Sequence, residues 1–201
     1  MDEEKVVPRQ VALIARWNEK AADLGTRLLA LSCFDNNRFV NGRNAIEDDL
    51  SSFESLRLDI TTEVIDLLHE YCFILRKLIE RADCVSQARK LYPHPGNGNI
   101  IINKDGPDER EVLLCQRDLW WILGRVIHSQ SVMVLGGDTD LLRVYSDGKN
   151  RSYSDGYCYV SVESDFDEGV RHILHIPSLV HIFLFSALAS QIKEVVRDNT
   201  I

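Results

Sequence analysis

At 201 residues the chain is long enough for one domain with a sizeable core. Its content of 45% hydrophobic and 27% charged residues excludes a globally disordered protein. The net charge of −8 disfavours non-specific binding of nucleic acid, because such binding depends on clustered lysine and arginine. We therefore expect a protein partner or a small ligand, with a local RNA-binding groove as the alternative and no binding of DNA.

The sequence predicts a cytoplasmic protein. The first ten residues, MDEEKVVPRQ, are acidic and lack the basic start and apolar core of a signal peptide. No apolar run reaches the length of a membrane span; the best candidate, residues 176–189, is short and is interrupted by Pro177. The five cysteines include no CxxC pair, which fits a reducing compartment and indicates neither a zinc site nor a redox motif.

Two amphipathic helices are predicted in the first half of the chain. Residues 11–31 place apolar side chains at helical spacing. A polar connection follows over residues 34–52, and we expect it to hold a short helix or a binding loop. Asp59 or Thr61 then caps a second helix with one broad apolar face, which runs to about Lys90. The segment PHPGNGN, after Tyr92, ends it.

A third helix is predicted to begin at Pro107 or Asp108 and to continue through Ile127. Four short strands follow, separated by glycine-bearing turns: SVMVL, LLRVYS, YCYVSVE and VRHILHI. A last helix extends from Pro177 to about Arg197. The expected fold is a single domain of residues 1–201, mainly α with a small antiparallel β insertion (α+β). Its helical bundle comprises residues 9–130 and 177–198, and its β-hairpin or meander comprises residues 131–176.

Residues 119–129, LWWILGRVIHS, followed by short strands and a last helix, resemble proteins of the HEPN superfamily (higher eukaryote and prokaryote nucleotide-binding). The resemblance implies a helical bundle, and many members are ribonucleases of toxin and anti-phage systems. Catalytic members carry an arginine and usually a polar residue, with four to six residues before a histidine. Here Arg117 and Asp118 precede His128 by about three helical turns, roughly 16 Å along the axis, so the ribonuclease motif is not intact.

The resemblance maps His128 onto a catalytic position, with Arg125 as its companion on the same helix face. In a ribonuclease, such a histidine moves the 2′-hydroxyl proton or protonates the leaving oxygen, while the arginine stabilises phosphate charge. In the structural alternative, both side chains interact with the exposed carbonyls at the end of the helix. An exposed pair lining a basic groove would favour the ribonuclease, and a buried His128 bonded to those carbonyls would exclude it.

Adjacent tryptophans, Trp120 and Trp121, precede this pair. Their side chains point about 100° apart on a helix, so both cannot lie at the centre of one narrow buried face. Either one of them lies in an interface or the helix is buried nearly all round. The remaining histidines and the acidic pairs have no recognised ligand spacing, and no phosphate-binding glycine loop is present, so we predict no metal and no cofactor.

Two functions follow as expectations. The first is a non-enzymatic HEPN-like interaction module of a bacterial defence or toxin–antitoxin system, acting through a protein partner or self-association as a homodimer. The second is a divergent, metal-independent ribonuclease using His128 with Arg125. Because the ribonuclease motif is incomplete and the net charge is acidic, the sequence favours the first function and leaves enzymatic activity open.

Overall fold

A computed structural model describes residues 8–32, 50–93, 99–103, 112–115, 117–135, 157–166 and 170–198. These residues form six helices: α1 (Pro8–Ser32), α2 (Leu50–Arg81), α3 (Val85–Ala88), α4 (Leu119–Ile127), α5 (Ile176–Leu184) and α6 (Ala187–Asp198). They also form five strands: β1 (Asn99–Asn103), β2 (Val112–Cys115), β3 (Ser129–Leu135), β4 (Tyr159–Ser164) and β5 (Val170–His175). The α+β fold class is therefore confirmed: the protein is mainly helical, with one antiparallel sheet.

Helices α1 and α2 pack as an antiparallel pair, because their apolar residues recur at helical spacing and share one buried face. Ion pairs from Lys20 to Glu70 and from Arg27 to Glu63 connect the two helices at the half-exposed rim, where such pairs stabilise little. Gly25 lies where α1 approaches α2 closely. A Cβ atom there would lie 3.1 Å from Cε2 of Tyr71, so the absence of a side chain lets the two helices meet.

The predicted limits of the second helix are wrong at both ends. α2 begins at Leu50, ahead of the expected caps Asp59 and Thr61, and ends at Arg81 instead of near Lys90. It ends because Asp83 adopts a left-handed backbone conformation with φ of 53°. The N–H of Asp83 then bonds to the carbonyl of Glu80, and the N–H of Cys84 bonds to that of Ile79, as in a Schellman motif.

Replacing Asp83 with glycine should raise the free energy of unfolding by about 0.5–1 kcal/mol, because glycine adopts positive φ without the Cβ penalty. Urea unfolding at neutral pH would measure the change. Asp83→Ala is the matched control, since it removes the same charge but keeps Cβ; it should give no gain. A glycine variant less stable than the parent would contradict the expectation.

The sheet has the strand order β2-β1-β5-β4-β3, and every neighbouring pair is antiparallel. Strands β3, β4 and β5 confirm SVMVL, YCYVSVE and VRHILHI, while the expected strand LLRVYS lies outside the described residues. The sheet is not confined to residues 131–176. Residues 112–115 were expected in the third helix but form β2, because a short apolar run satisfies either period and its pairing with β1 supplies its backbone hydrogen bonds.

The predicted last helix is divided into α5 and α6, which meet at an angle of 41°. The break comes at Ser186, whose Oγ accepts a hydrogen bond from the N–H of Leu188, 3.2 Å away, as an N-cap does. Both helices bury apolar side chains against the core, including Phe183 and Ile192. Within the described ranges, no single helix is long and apolar enough to cross a membrane, and this bent pair passes that test by length and composition only.

Candidate functional site

Helix α4 presents the candidate residues because its opposite face is fixed in the core. Leu119, Ile122, Leu123 and Val126 are buried, which leaves the other face of the helix for the two tryptophans, Gly124, Arg125 and His128. The helix begins at Leu119, since the carboxylate of Asp118 accepts a 2.8 Å hydrogen bond from the N–H of Trp121. The expected helix start at Pro107 or Asp108 lies outside the described residues. A 2.7 Å backbone bond from Leu119 to the carbonyl of Leu91 anchors the same end.

A pocket of about 280 Å³ lies beside this face, and we call it the α4 pocket. Residues of helix α2, of helix α4 and of the turn after β4 line it. The residues that line it are Arg76, Trp120, Trp121, Gly124, Arg125, His128 and Phe166. None of these described lining residues is acidic, although the chain carries a net charge of −8.

Arg76 crosses from α2 onto α4. Its guanidinium carbon lies 4.3 Å from the centroid of a Trp120 ring, a cation–π distance. A Cβ at Gly124 would lie only 2.7 Å from Nη1 of Arg76, so the glycine makes room for the guanidinium. Glu80 lies 3.6 Å from Nε of Arg76 and accepts a 2.9 Å bond from Lys77. That hydrogen bond from Lys77, assisted by the charges of Lys77 and Arg76, holds the pKa of Glu80 below its usual value.

Trp121 is surrounded by positive charge. The guanidinium carbon of Arg117 lies 4.9 Å from its ring centroid and that of Arg125 lies 4.6 Å from it. The ring of His172, which is 1% exposed in the sheet, contacts Trp121 edge-on with a centroid separation of 4.9 Å. Trp121 therefore contacts three side chains: Arg117 before α4, Arg125 within α4 and His172 in β5. Both arginines lie against the same indole ring.

His128 is exposed at the mouth of the pocket. The backbone of His128, and not its imidazole, makes the hydrogen bonds at the end of α4. Its N–H donates to the carbonyl of Gly124 over 3.1 Å, and its carbonyl accepts from the N–H of Asp165 over 3.3 Å. The imidazole lies edge-on to Phe166, with ring centroids 4.9 Å apart. The arrangement that would exclude a ribonuclease, a buried His128 bonded through its side chain to helix-end carbonyls, is not the one observed.

His69 fixes the residue that follows His128. Its Nδ1–H donates to the carbonyl of Ile65 over 3.1 Å, and its Nε2 lies 2.8 Å from Oγ of Ser129. The hydroxyl of Ser129 also bonds to the carbonyl of Val126 over 2.8 Å. Helix α2 therefore contacts the C-terminal end of α4 through His69, and the middle of α4 through Arg76. In the described ranges, no three His, Cys, Asp or Glu side chains come together in a group that could hold a metal ion.

The structure brings the four candidate residues of the sequence analysis, Arg125, His128, Trp120 and Trp121, into one pocket. Sequence reasoning missed Arg76 and Phe166, which complete it. The sequence signals for Arg76 were its place in a local concentration of basic residues on α2 and the glycine in α4 that receives it. Phe166 had no comparable signal, because it lies in an acidic turn segment, SDFDEG.

Comparison of the chain with known protein families, with curated proteins and with solved structures finds no match. The resemblance to the HEPN superfamily therefore stays a prediction. Any functional argument depends on the chemistry of the α4 pocket itself.

Proposed function

We propose that the protein binds a phosphate-bearing ribonucleotide, free or within RNA, in the α4 pocket. The main support is the composition of the lining: two arginines, one histidine and three aromatic rings around a glycine, with no carboxylate among them. Guanidinium groups pair with phosphate through charge-assisted hydrogen bonds. Aromatic rings stack on nucleobases. The pocket therefore contains side chains that can bind the phosphate of a nucleotide and side chains that can stack on its base.

Three carboxylates of the described residues lie near the pocket, and each has an interaction of its own. Glu80 bonds to Lys77 and pairs with Arg76 over 3.6 Å, Asp118 caps α4, and Asp165 contacts the hydroxyl of Ser164. A bound phosphate competes with Glu80 for Arg76. The pocket is consequently a small basic site on an acidic protein. We expect its affinity for RNA to fall as salt rises, with the shallow slope that a few phosphate contacts produce.

Binding can be measured with a fluorescently labelled single-stranded RNA and, separately, with AMP, through quenching of tryptophan emission. Two of the three tryptophans line the pocket, so both ligands should quench. Arg125→Gln should weaken binding by about 10- to 100-fold, since a hydrogen bond to a charged group contributes about 1.5–3 kcal/mol. Arg89→Gln is the matched control, because Arg89 is exposed and does not line the pocket.

If the parent binds neither RNA nor AMP, or if both arginine variants bind equally well, the proposal is wrong. Binding of an acidic peptide without binding of either nucleotide ligand would instead favour the interaction module. That module, with a protein partner or a homodimer, stays a prediction, as does a cytoplasmic location.

A second candidate function is metal-independent RNA cleavage, favoured by the exposure of His128 beside Arg125 in the same pocket. An exposed imidazole can accept the 2′-hydroxyl proton as the oxygen attacks phosphorus, while a guanidinium stabilises the developing charge. The bond from phosphorus to the 5′-oxygen would break, the leaving oxygen would take a proton from water, and a 2′,3′-cyclic phosphate would form. Cleavage of labelled RNA in EDTA by the parent, absent in His128→Ala, would support it. No cleavage by a folded parent that binds RNA would leave binding as the function.

A further inference from the structure

We infer that the α4 pocket recognises the phosphate and the flat face of a single nucleotide and does not distinguish one base from another. This inference deepens the proposed function and depends on it. Three properties of the pocket support it: its volume, the hydrogen-bonding character of its side chains, and the exposure of one aromatic ring.

The volume of the pocket favours a small ligand over a long one. Pockets for small molecules usually enclose about 300–1,000 Å³, and the α4 pocket, at about 280 Å³, lies just below that range. The net charge of −8 on the chain also disfavours a longer RNA, because it repels further phosphates outside the pocket. A longer RNA would therefore gain little over a mononucleotide.

The side chains that line the pocket offer few acceptors for the amino groups of bases, and the arginines, which could pair with O6 and N7 of guanine, are assigned to phosphate in this proposal. Arginine and the tryptophan indole donate hydrogen bonds and accept none, and phenylalanine and glycine offer no side-chain polar group. Among the described lining residues, only His128 has a side chain able to accept, through one nitrogen of the neutral ring. Bases are told apart by matched donors and acceptors, and the amino groups of adenine, cytosine and guanine need acceptors. The donors suit phosphate oxygens better.

Phe166 is the most exposed of the three aromatic rings that line the pocket, since Trp120 and Trp121 are half-buried. Arg76 lies over Trp120, and two arginines lie over Trp121, so the indole rings are partly occupied. Phe166 is 60% exposed, although Arg125 lies 4.9 Å from its ring centroid and His128 meets it in a T-shaped contact. Every base has an aromatic face, so stacking on this ring adds affinity without selecting a sequence. In this arrangement Phe166 holds the base while Arg125 and Arg76 hold the phosphate.

The test compares binding of AMP, CMP, GMP and UMP with that of ribose 5-phosphate, which has the phosphate but no base. The four mononucleotides should bind with dissociation constants within about fivefold of one another. Ribose 5-phosphate should bind about 5- to 150-fold more weakly, the range that corresponds to the stacking of one base. Phe166→Leu should weaken binding of all four mononucleotides to about the same extent and reduce their advantage over ribose 5-phosphate.

Phe185→Leu is the matched control, because Phe185 is 72% exposed and lies outside the pocket at the end of α5; it should change nothing. Preference of tenfold or more for one mononucleotide would overturn the inference and keep the proposed function. Equal binding of ribose 5-phosphate and the mononucleotides would overturn it too, since the base would then contribute nothing. Absence of binding by all five compounds would instead overturn the proposed function.

Discussion

Gly124→Ala should weaken binding of AMP by about 10- to 100-fold and, at the same time, stabilise the protein. The new Cβ would lie 2.7 Å from Nη1 of Arg76, so the flexible guanidinium must leave its place over Trp120. Loss of one charge-assisted contact to phosphate costs about 1.5–3 kcal/mol of binding free energy. Alanine inside a helix is favoured over glycine by up to about 1 kcal/mol, because it reduces the backbone entropy lost on folding.

Titration with AMP and urea unfolding of the same preparations would measure both effects. The decisive control is the pair of variants Arg76→Gln and Arg76→Gln with Gly124→Ala. If Gly124 acts through Arg76, the alanine should not weaken binding further once the arginine is gone. Full binding by Gly124→Ala, or an equal loss in the presence and absence of Arg76, would show that the glycine has another role.

The same substitution at Gly25 should have the opposite effect on stability. A Cβ at Gly25 would lie 3.1 Å from Cε2 of Tyr71 and 3.2 Å from Cγ1 of Val180, and both of those residues are 0% exposed. A packed core cannot yield as a flexible guanidinium can, so we expect a loss of about 1–3 kcal/mol. Comparison of the two variants would distinguish the role of Gly124, which makes room for the side chain of Arg76, from that of Gly25, which lets α1 pack in the core.

Tyr71→Phe should stabilise the protein by about 1 kcal/mol or more, whereas Tyr71→Ala should destabilise it by about 3–5 kcal/mol. The ring of Tyr71 is 0% exposed in the core between α1, α2 and α5, so truncating it leaves a large cavity. Its hydroxyl, however, has no hydrogen-bond partner in the described part of the chain and is desolvated without compensation. Urea unfolding at pH 7 would measure both changes, and a phenylalanine variant less stable than the parent would show that the hydroxyl is satisfied.

Alkaline pH provides a second measurement on the same residue. Burial, and to a lesser extent the neighbouring thiol of Cys72, raises the pKa of Tyr71 well above its ordinary value of 10.0. Because the folded pKa exceeds the unfolded one, this contribution to stability is complete below pH 10 and is lost as pH rises above it. The free energy of unfolding should fall more steeply with pH in the parent than in Tyr71→Phe. Equal slopes would contradict the raised pKa, since Cys72 contributes to both proteins.

Much of the fold follows from periodicity in the sequence. The buried faces of α1 and α2 and the strands β3, β4 and β5 repeat with helical or strand spacing over enough residues to be recognised. Residues 112–115 cannot be assigned in this way, because four apolar residues fit the period of a helix and that of a strand. Their pairing with β1 makes them a strand. The proline and acid at positions 107 and 108 suggested a helix start, but Asp118 is the residue that caps α4.

The part of the candidate site that lies within one helix could be predicted from the sequence. Arg125, His128 and the two tryptophans share α4, so a pattern along the chain could group them. Arg76 joins them only because one face of α2 packs on α4, and helical spacing alone does not show which polar residue borders that contact. Phe166 joins them through the pairing of β4 with β3, which places the following turn beside His128.

The central place of β5 has a consequence for the order in which the protein folds during synthesis. Pairs β1–β2 and β3–β4 precede β5 in the chain, and β5 alone bridges them by pairing with β1 and β4. A nascent chain that has not yet released β5 can form two separate hairpins but no continuous sheet. Trp121 also lacks its support from His172 until β5 docks. The α4 pocket therefore lacks this contact until the chain has been synthesised beyond β5.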